Sequence, residues 1–529
     1  MKAKVIFFIL VVVSTMFVLS CDNGSKATNP QNATFNSFED IDVPANFNFE
    51  TKKVIDLEFY APNKGTVVVI GDDGVEYYRA LADDIEPIQR SISIPSTVTS
   101  LDFHYRNMVF SDYFITDLIN NPEVYLYNIE EVDEKSASKK EKTYVIPILE
   151  GIELEDDGSI TSHWGYNNEF SYTYIQEIGP KNKFTGSGLN SSNLDQGQPT
   201  EFLPGRHYDV FVVNFTPIGN DCITWSLQTS NRLHQDACAN SPLYPGDDTD
   251  NDGVLDENDA YPTDPNKAYV NIYPNEETIG TLLFEDLWPD KGDYDFNDMV
   301  VRYRIEEILS ATNHIKEIRF DILLAAIGAT KQNGLYFELP FQAEDVTVTS
   351  AYYPDYTYKT NDTGLAIIQV FNNSNDFYPL NGEFMNTVQT DPFISTTLIH
   401  FEVEVSGEYS ASESAFFIPY NPFITIDHDR SKEVHLPGLP PTSNADPSYF
   451  NNEDFDDATD IEAGYYYKTA EGAPWAIDVP FRMSYPTENT GIVKAYPEFG
   501  KWVESGGTAF TNWYENPDLE HVYFELIFK

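Results

Sequence analysis

Residues 54–60 read VIDLEFY, a stretch in which apolar and polar side chains alternate. Side chains along a β-strand point to opposite faces in turn, so this alternation predicts a strand with one buried face. The same period of two recurs at 66–70 and 92–95, and the Gly-Asp-Asp-Gly run at 71–74 predicts a turn. Residues 46–129 are therefore predicted to form a small β-sandwich.

Strand patterns continue through the rest of the 529-residue chain, which is too long for a single hydrophobic core. They predict a second β-sandwich module over 143–240 and a large C-terminal β-rich domain over 268–529, with a charged linker at 130–142. Within the last block, residues 492–503 have helical spacing, but Pro497 interrupts it, so two short helices or one kinked helix are expected. The predicted fold class is mainly β and multidomain, with a few short helices.

The composition narrows the possible functions. Asp and Glu number 85 against 32 Lys and Arg, which gives a formal net charge of −53. Such a chain would repel phosphate, so a protein that binds nucleic acid through a basic face is excluded. The 36 Phe, 34 Tyr and 6 Trp argue against disorder, because disordered chains are poor in aromatic residues. A folded, acidic, aromatic-rich protein is expected.

The N-terminus carries the pattern of an export signal. Two lysines precede an apolar stretch at 5–19 that is short for a membrane span and ends in Val-Leu-Ser-Cys at Cys21. This ending resembles a bacterial lipobox, which implies a signal peptide over 1–20, a lipid on Cys21 and a polar tether over 21–45. The lipid would attach the chain to a membrane, at the outer membrane or cell surface. An ordinary secretory signal with a chance cysteine, or a simple N-terminal anchor, are the alternatives.

The other two cysteines are Cys222 and Cys238, which are 16 positions apart. In an oxidising compartment they would form a disulfide, which contributes about 3 kcal/mol for a loop of this size. Two independent thiols are the alternative.

The sharpest chemical pattern lies in a predicted connector over 241–267, where residues 248–259 read DTDNDGVLDEND. Carboxylates occupy loop positions 1, 3, 5, 9 and 12, and glycine occupies position 6, as in a 12-residue loop that wraps Ca²⁺. Prolines on both sides argue against flanking helices. A solvated acidic linker is the alternative, although its carboxylates would repel one another without a cation. The predicted ligands are the carboxylates of Asp248, Asp250, Asp252, Asp256 and Asp259 and the carbonyl of Val254.

A second acidic pattern follows at 284–298, which reads FEDLWPDKGDYDFND. Its spacing would let an extended segment present alternate oxygens to a second calcium ion. The alternative is a polar turn whose side chains cap backbone groups. A third acidic stretch, at 453–460, is predicted to be a solvated loop. The candidate ligands of the second site are Glu285, Asp286, Asp293, Asp295, Asn297 and Asp298.

Two resemblances follow from these residues. The run at 248–259 resembles the thrombospondin type 3 calcium repeat, which implies a calcium-stiffened connector between extracellular domains. The block 268–529 resembles the LruC-type domain of bacterial, often Bacteroidetes, surface lipoproteins, which implies an exported lipoprotein and brings no catalytic residues. The matching motifs are the acidic run at 284–298, NPF at 421–423, EVHLPG at 433–438, PWAI at 474–477, AYPEF at 495–499 and NWY at 512–514.

No established catalytic motif is present in the sequence, and no enzyme activity is expected. The leading expectation is a calcium-binding, lipid-anchored surface protein with a structural, adhesive or ligand-binding role and a protein or glycan partner. A surface glycan-binding protein is the alternative, because exposed Trp and Tyr can stack on sugars. A glycoside hydrolase would need only two carboxylates, and the 85 acidic residues single out no pair.

Overall fold

The computed structural model describes three parts of the chain. Cys21, the signal peptide over 1–20, the linker over 130–142 and Cys238 lie outside the described residues. Between residues 149 and 237, and at 359–360, the backbones of strands are described without their side chains, and Cys222 lies on one of these strands. The ranges described more fully are 33–61, 65–82, 87–105, 108–126, 248–350, 364–376, 384–410 and 416–523.

The N-terminal module consists of two sheets that pack face to face. Its strands are β1 (Lys52–Tyr60), β2 (Gly65–Gly71), β3 (Glu76–Ala82), β4 (Ile88–Pro95), β5 (Ser100–Tyr105), β6 (Met108–Phe114) and β7 (Glu123–Tyr125), with the short helix α1 (Ile115–Leu118). One sheet has the order β4-β1-β7 and the other β3-β2-β5-β6. The alternation in β1 buries Ile55, Leu57 and Phe59. The Phe59 ring meets Phe103 of the opposite sheet at 5.6 Å.

The middle of the chain is also β-structure. Its strands are β8 (Leu149–Leu154), β9 (Ile160–Trp164), β10 (Ser171–Ile178), β11 (Leu189–Asn190), β12 (His207–Thr216), β13 (Gly219–Gln228) and β14 (Arg232–Ala237). β8 pairs with β9, and the other five form an antiparallel sheet in the order β11-β10-β12-β13-β14.

The C-terminal block contains three sheets. Its strands are β15 (Tyr269–Tyr273), β16 (Gly280–Phe284), β17 (Met299–Leu309), β18 (Ile315–Ala326), β19 (Gly334–Gln342), β20 (Val346–Ser350), β21 (Lys359–Thr360), β22 (Leu365–Phe371), β23 (Ile399–Tyr409), β24 (Asn421–Ile426), β25 (Asp429–His435), β26 (Ala476–Val479), β27 (Tyr485–Pro486) and β28 (Val522–Tyr523). The largest sheet runs β20-β23-β18-β17-β16-β26, with β15 also paired to β17. A second runs β21-β22-β19-β24-β25, and β27 pairs with β28.

The two large C-terminal sheets pack against each other through aromatic side chains. Phe320 on β18 contacts Phe337 on β19 of the second sheet, with ring centroids 5.2 Å apart. Among the described residues of this block, the α-helices are α2 (Ile492–Ala495) and α3 (Phe499–Glu504), separated at Pro497, which confirms the prediction for this segment. The mainly β fold class is confirmed for the described residues.

Residues 33–50 pack onto the C-terminal block. Phe38 and Phe49 are buried, and their ring centroids lie 6.1 Å and 6.2 Å from that of Phe499. Phe47 meets the Trp502 ring edge-on at 4.9 Å. Phe38 falls in the range that the sequence assigns to a tether, so part of that range is packed in the folded protein. Apolar burial of this kind contributes about 1.5–3 kcal/mol per large side chain.

Across the part of the chain that the structure describes, no helix has the length and apolar character needed to cross a bilayer.

Candidate metal centre

The second acidic run forms the loop between two neighbouring strands. Antiparallel pairing sets Phe284, the last residue of β16, opposite Met299, the first residue of β17. The intervening loop therefore turns back on itself, and its two ends meet. This pairing is the reason that carboxylates from both ends of the run lie together.

The loop is bent, whereas the sequence analysis expected an extended segment. Tyr294 and Phe296 have φ values of 58° and 53°, in the left-handed region that residues other than glycine seldom adopt. Two such bends place Asp293 and Asp295 on the side of Glu285. One oxygen from each of these three carboxylates lies within 4.8 Å of the others. We call Glu285, Asp293 and Asp295 the carboxylate cluster.

Glu285 is the most enclosed member of the carboxylate cluster. Its side chain is fully buried, and Oε1 accepts a 2.7 Å hydrogen bond from the backbone N–H of Phe296. Oε2 is buried and has no hydrogen-bond partner among the described residues. A Cβ atom at Gly292 would overlap this oxygen, so the glycine leaves it the space it occupies. Burial, followed by repulsion from Asp295 and Asp293, raises the pKa of Glu285 well above its ordinary value.

Asp295 is buried in the same place. Its Oδ1 accepts a hydrogen bond from the Asn297 N–H at 3.2 Å, and Oδ2 accepts one from the Asn489 N–H at 2.9 Å. Burial, with repulsion from Asp293 and Glu488, raises its pKa to about 8. Asp293 is exposed and closes the cluster on the solvent side. The arrangement concentrates negative charge that a bound cation would offset.

Glu488 is a residue that the sequence analysis missed. It is half-buried, and its pKa is raised by burial and by Asp293, which shows that it faces the carboxylate cluster. It is nearly two hundred positions away from the cluster in the sequence, within a segment that carries no acidic pattern. No sequence signal could have placed it here, because only the packing of the 487–490 turn brings it close.

Asp286 and Asp298 form a separate pair beside the cluster. Asp298 Oδ2 accepts a 2.7 Å hydrogen bond from the Asp286 N–H, and Asp286 Oδ2 accepts one from Asn333 Nδ2, also at 2.7 Å. Lys331 Nζ lies 3.9 Å from Asp286 Oδ1. Burial, then repulsion from Asp286 and Glu285, raises the pKa of Asp298 well above its ordinary value. Asp286 thus accepts a hydrogen bond from a side chain and lies near a lysine, whereas the hydrogen bonds described for Glu285 and Asp295 come from backbone N–H groups.

Asn297 is held between loops. Its Nδ2 donates a 3.3 Å hydrogen bond to the Pro486 carbonyl, while Oδ1 is buried without a hydrogen-bond partner among the described residues. A side chain at Gly328 would overlap Oδ1. Of the six predicted ligands of the second site, the structure therefore brings Glu285, Asp293 and Asp295 together and places the other three around them.

The first acidic run, at 248–259, also brings carboxylates together. Oxygens of Asp248, Asp250 and Asp252 lie within 4.8 Å of one another. Burial, with repulsion from these three residues, raises the pKa of Asp259 to about 6, so the predicted position 12 faces them. Gly253 has a φ of 96°, which fits the sharp turn expected at position 6. The loop contains no helix, and none follows it at 260–268, as predicted; the residues immediately before 248 lie outside the described part of the chain.

All five predicted carboxylate ligands of this loop accept hydrogen bonds from nearby residues. Both carboxylate oxygens of Asp256 accept hydrogen bonds from Thr249, one from its N–H and one from its hydroxyl, each at 2.7 Å. Asp248 accepts hydrogen bonds from the N–H groups of Asn251 and Gly253, at 2.7 Å and 3.0 Å. The Val254 side chain is buried in the core. The loop is thus held by its own hydrogen bonds, and Asp256 points at Thr249.

The third acidic stretch, at 453–460, contains one buried carboxylate. Asp457 accepts hydrogen bonds from the Thr459 hydroxyl, at 3.1 Å, and from Trp475 Nε1, at 3.0 Å. Its neighbours Glu453, Asp454 and Asp456 are exposed. These three exposed residues agree with the predicted solvated loop, but Asp457 and Thr459 are buried, and Asp457 is a structural hydrogen-bond acceptor.

Comparison with known proteins gives a partial match. Residues 313–514 match a family model described as Domain of unknown function (DUF4842). No curated protein sequence matches the chain. Among solved structures, a crystal structure from Bacteroides ovatus described as "Putative lipoprotein" has 18% sequence identity to this chain. It covers 67% of this chain and 94% of its own, with a TM-score of 0.38. The family match lies within the block 268–529, covers less than half of the chain and carries a description without an assigned function.

Proposed function

We propose that this protein binds calcium in the carboxylate cluster and is held at the cell surface by a lipid on Cys21. It would act there as a structural, adhesive or ligand-binding protein without catalysis. The observation that carries the calcium assignment is Glu285, a fully buried carboxylate of which one oxygen has no hydrogen-bond partner among the described residues. Two further carboxylates each place an oxygen within 4.8 Å of an oxygen of Glu285. Buried charges are normally paired or bind metals.

Calcium is the preferred cation because every ligand atom available is a hard oxygen. Ca²⁺ takes six to eight such oxygens in flexible geometry, whereas Mg²⁺ requires a near-ideal octahedron and keeps several waters. The loop at 248–259 offers the same ligand type and would hold a second ion. The thrombospondin-like and LruC-type resemblances agree with this role and remain predictions.

The structural role has more support than the glycan-binding alternative. The four tryptophans whose side chains the structure describes, Trp288, Trp475, Trp502 and Trp513, are all buried. Stacking on sugars requires exposed rings, and these four do not provide them. The cluster instead lies at a strand-to-strand loop, where a cation would fix the loop against the 487–490 turn.

Thermal unfolding of the purified protein tests the calcium assignment. We expect calcium to raise the melting temperature relative to chelator, because a ligand at about 100 times its Kd stabilises by about 2.7 kcal/mol. Glu285→Gln should lose much of this rise. Asp290→Asn is the matched control, since it removes an exposed charge from the same loop and should keep the full rise. Magnesium at the same concentration should have a smaller effect.

The outcomes separate the two acidic sites. If Asp250→Asn/Asp252→Asn abolishes the rise while Glu285→Gln retains it, calcium binds at 248–259 and the assignment to the cluster is wrong. No calcium effect on the unmodified protein would refute calcium binding at both sites. Fatty-acid labelling that persists in Cys21→Ser would refute the lipid attachment.

A further inference from the structure

A cleft lies between the N-terminal sandwich and the C-terminal sheet, and no residue of either acidic run lines it. Its cavity volume is about 40 Å³. The N-terminal module contributes Tyr78 and Arg90, and the C-terminal block contributes Asn271, Glu307 and Tyr420. Neither module forms the cleft alone.

Arg90 has hydrogen-bond donors that nothing in the described chain accepts. The residue is 5% exposed, and its Nη2 contacts Glu307 Oε2 in a buried ion pair. Glu307 Oε1 accepts a second hydrogen bond, from the Tyr420 hydroxyl at 2.8 Å. Nε and Nη1 of Arg90 are buried and have no partner among the described residues. The ion pair with Glu307 thus compensates the charge of Arg90, but it leaves the Nε and Nη1 donors of Arg90 without an acceptor among the described residues.

Asn271 and Tyr78 add two more donors. Asn271 Oδ1 accepts the Arg79 N–H at 3.0 Å, which fixes the amide so that Nδ2 is the remaining group. That Nδ2 and the Tyr78 hydroxyl are both buried without a partner among the described residues. Native proteins rarely leave such groups unpaired, because each one loses its hydrogen bonds to water.

We propose that this cleft binds a small organic carboxylate. A carboxylate only accepts hydrogen bonds and has about four lone-pair positions, which matches the four groups of unpaired donors. A sugar hydroxyl would bring a donor of its own, and the oxygens of Glu307 already accept from Arg90 and Tyr420. A doubly charged phosphate would be repelled by Glu307. Ile272, Phe417 and Ile418 are partly exposed at the cleft and supply apolar surface for the carbon body.

Isothermal titration of the full chain with benzoate tests this proposal, and acetate serves as a smaller probe. Benzamide is the matched ligand control, because it has the same shape and carries a donor in place of one oxygen. We expect saturable binding of benzoate and none of benzamide. Tyr78→Phe should weaken benzoate binding about tenfold, which is the loss of one hydrogen bond to a charged group.

Asn271→Asp keeps the acceptor for Arg79 and replaces the free donor with a negative charge, so it should abolish benzoate binding. Ser93→Ala, another residue that lines the cleft, should bind as the unmodified protein does. Melting curves establish that each variant is folded. The proposal is overturned if the folded protein binds neither carboxylate, if benzamide binds equally well, or if Asn271→Asp binds benzoate normally. A crystal grown with benzoate that shows only water in the cleft would also overturn it.

Discussion

The calcium affinity of the carboxylate cluster is expected to depend steeply on pH. Calcium binds carboxylates in their ionised form, so a proton held by the cluster must leave before the ion can bind. Burial and neighbouring carboxylates raise the pKa of Asp295 to about 8. At pH 6, which is about two units below this pKa, ionising Asp295 costs about 3 kcal/mol.

Because half of the Asp295 carboxyl groups are still protonated at pH 8, the calcium affinity should be about 50-fold weaker at pH 6 than at pH 8. The change should be about tenfold per pH unit, which is the slope for one displaced proton, and should level off above pH 8. Glu285, whose pKa is raised in the same direction, can only make the dependence steeper.

The sign of the effect on stability follows from the same shift. An aspartate in the unfolded chain ionises near its ordinary pKa of 3.8, well below the folded value. Between these two values the folded protein holds a proton that the unfolded chain has released, so the calcium-free protein loses stability as the pH rises. Calcium should offset this loss, and its stabilising effect should grow with pH over the same range.

Calorimetric titration of calcium at pH 6, 7 and 8 and constant ionic strength measures the dependence. The background variant is Asp250→Asn/Asp252→Asn, in which the loop at 248–259 is weakened and the cluster is measured alone. Adding Glu285→Gln to that background serves as the control and should remove the binding. An affinity that is equal at pH 6 and pH 8, or higher at pH 6, would refute the reasoning.

Three further perturbations probe the cluster and the packing around it. Gly292→Ala places a methyl group where Glu285 Oε2 lies. Differential scanning fluorimetry should therefore show a smaller calcium-dependent rise in melting temperature than in the unmodified protein. An equal rise would contradict this geometry. Trp502→Ala removes a fully buried ring and should lower the free energy of unfolding in urea by about 3–5 kcal/mol, and a loss below 1 kcal/mol would show that the site collapses or is not packed as described. Glu39→Gln breaks a surface ion pair with Lys291, and because both side chains are about half exposed the same urea experiment should show a change within about 1 kcal/mol; a larger loss would mean that the pair has a structural role.

Alternation in the sequence was sufficient to predict strands that bury one face. The strand β1 is an example, because its buried Ile55, Leu57 and Phe59 are separated by polar residues. The interruption at Pro497 likewise predicted two short helices. In both cases the local sequence pattern and the tertiary packing favour the same secondary structure, so the sequence was sufficient to predict it.

Burial of charged residues in central strands was not predictable in this way. β17 carries Arg302 and Glu307, and both are buried. Glu307 lies on the same face of the strand as Val301, Tyr303 and Ile305, where alternation predicts an apolar residue. Glu307 is buried because the N-terminal module covers that face of the sheet and supplies Arg90. Pairing between positions so far apart leaves no trace in local periodicity.

The acidic runs show the same limit within the candidate site. Their spacing identified carboxylates that do lie together, because neighbours in a loop remain neighbours in the fold. It did not separate Asp286, which contacts Asn333, from Glu285, which has an unpaired oxygen. That distinction depends on which side of the bent loop each side chain occupies.

The packing of residues 33–50 on the C-terminal block limits the distance between a lipid on Cys21 and the folded protein. Cys21 and the buried Phe38 are 17 positions apart in the sequence. A fully extended chain spans at most about 3.3–3.6 Å per residue, so the segment between Cys21 and Phe38 can reach at most about 60 Å. If Cys21 carries the lipid, the segment that leads from the membrane first meets the folded protein at Phe38. This contact is on the C-terminal block and precedes the first strand of the N-terminal sandwich. The tether would then be attached to the folded protein at the aromatic cluster around Phe499. A pulling force between the membrane and a bound partner would pass through this cluster.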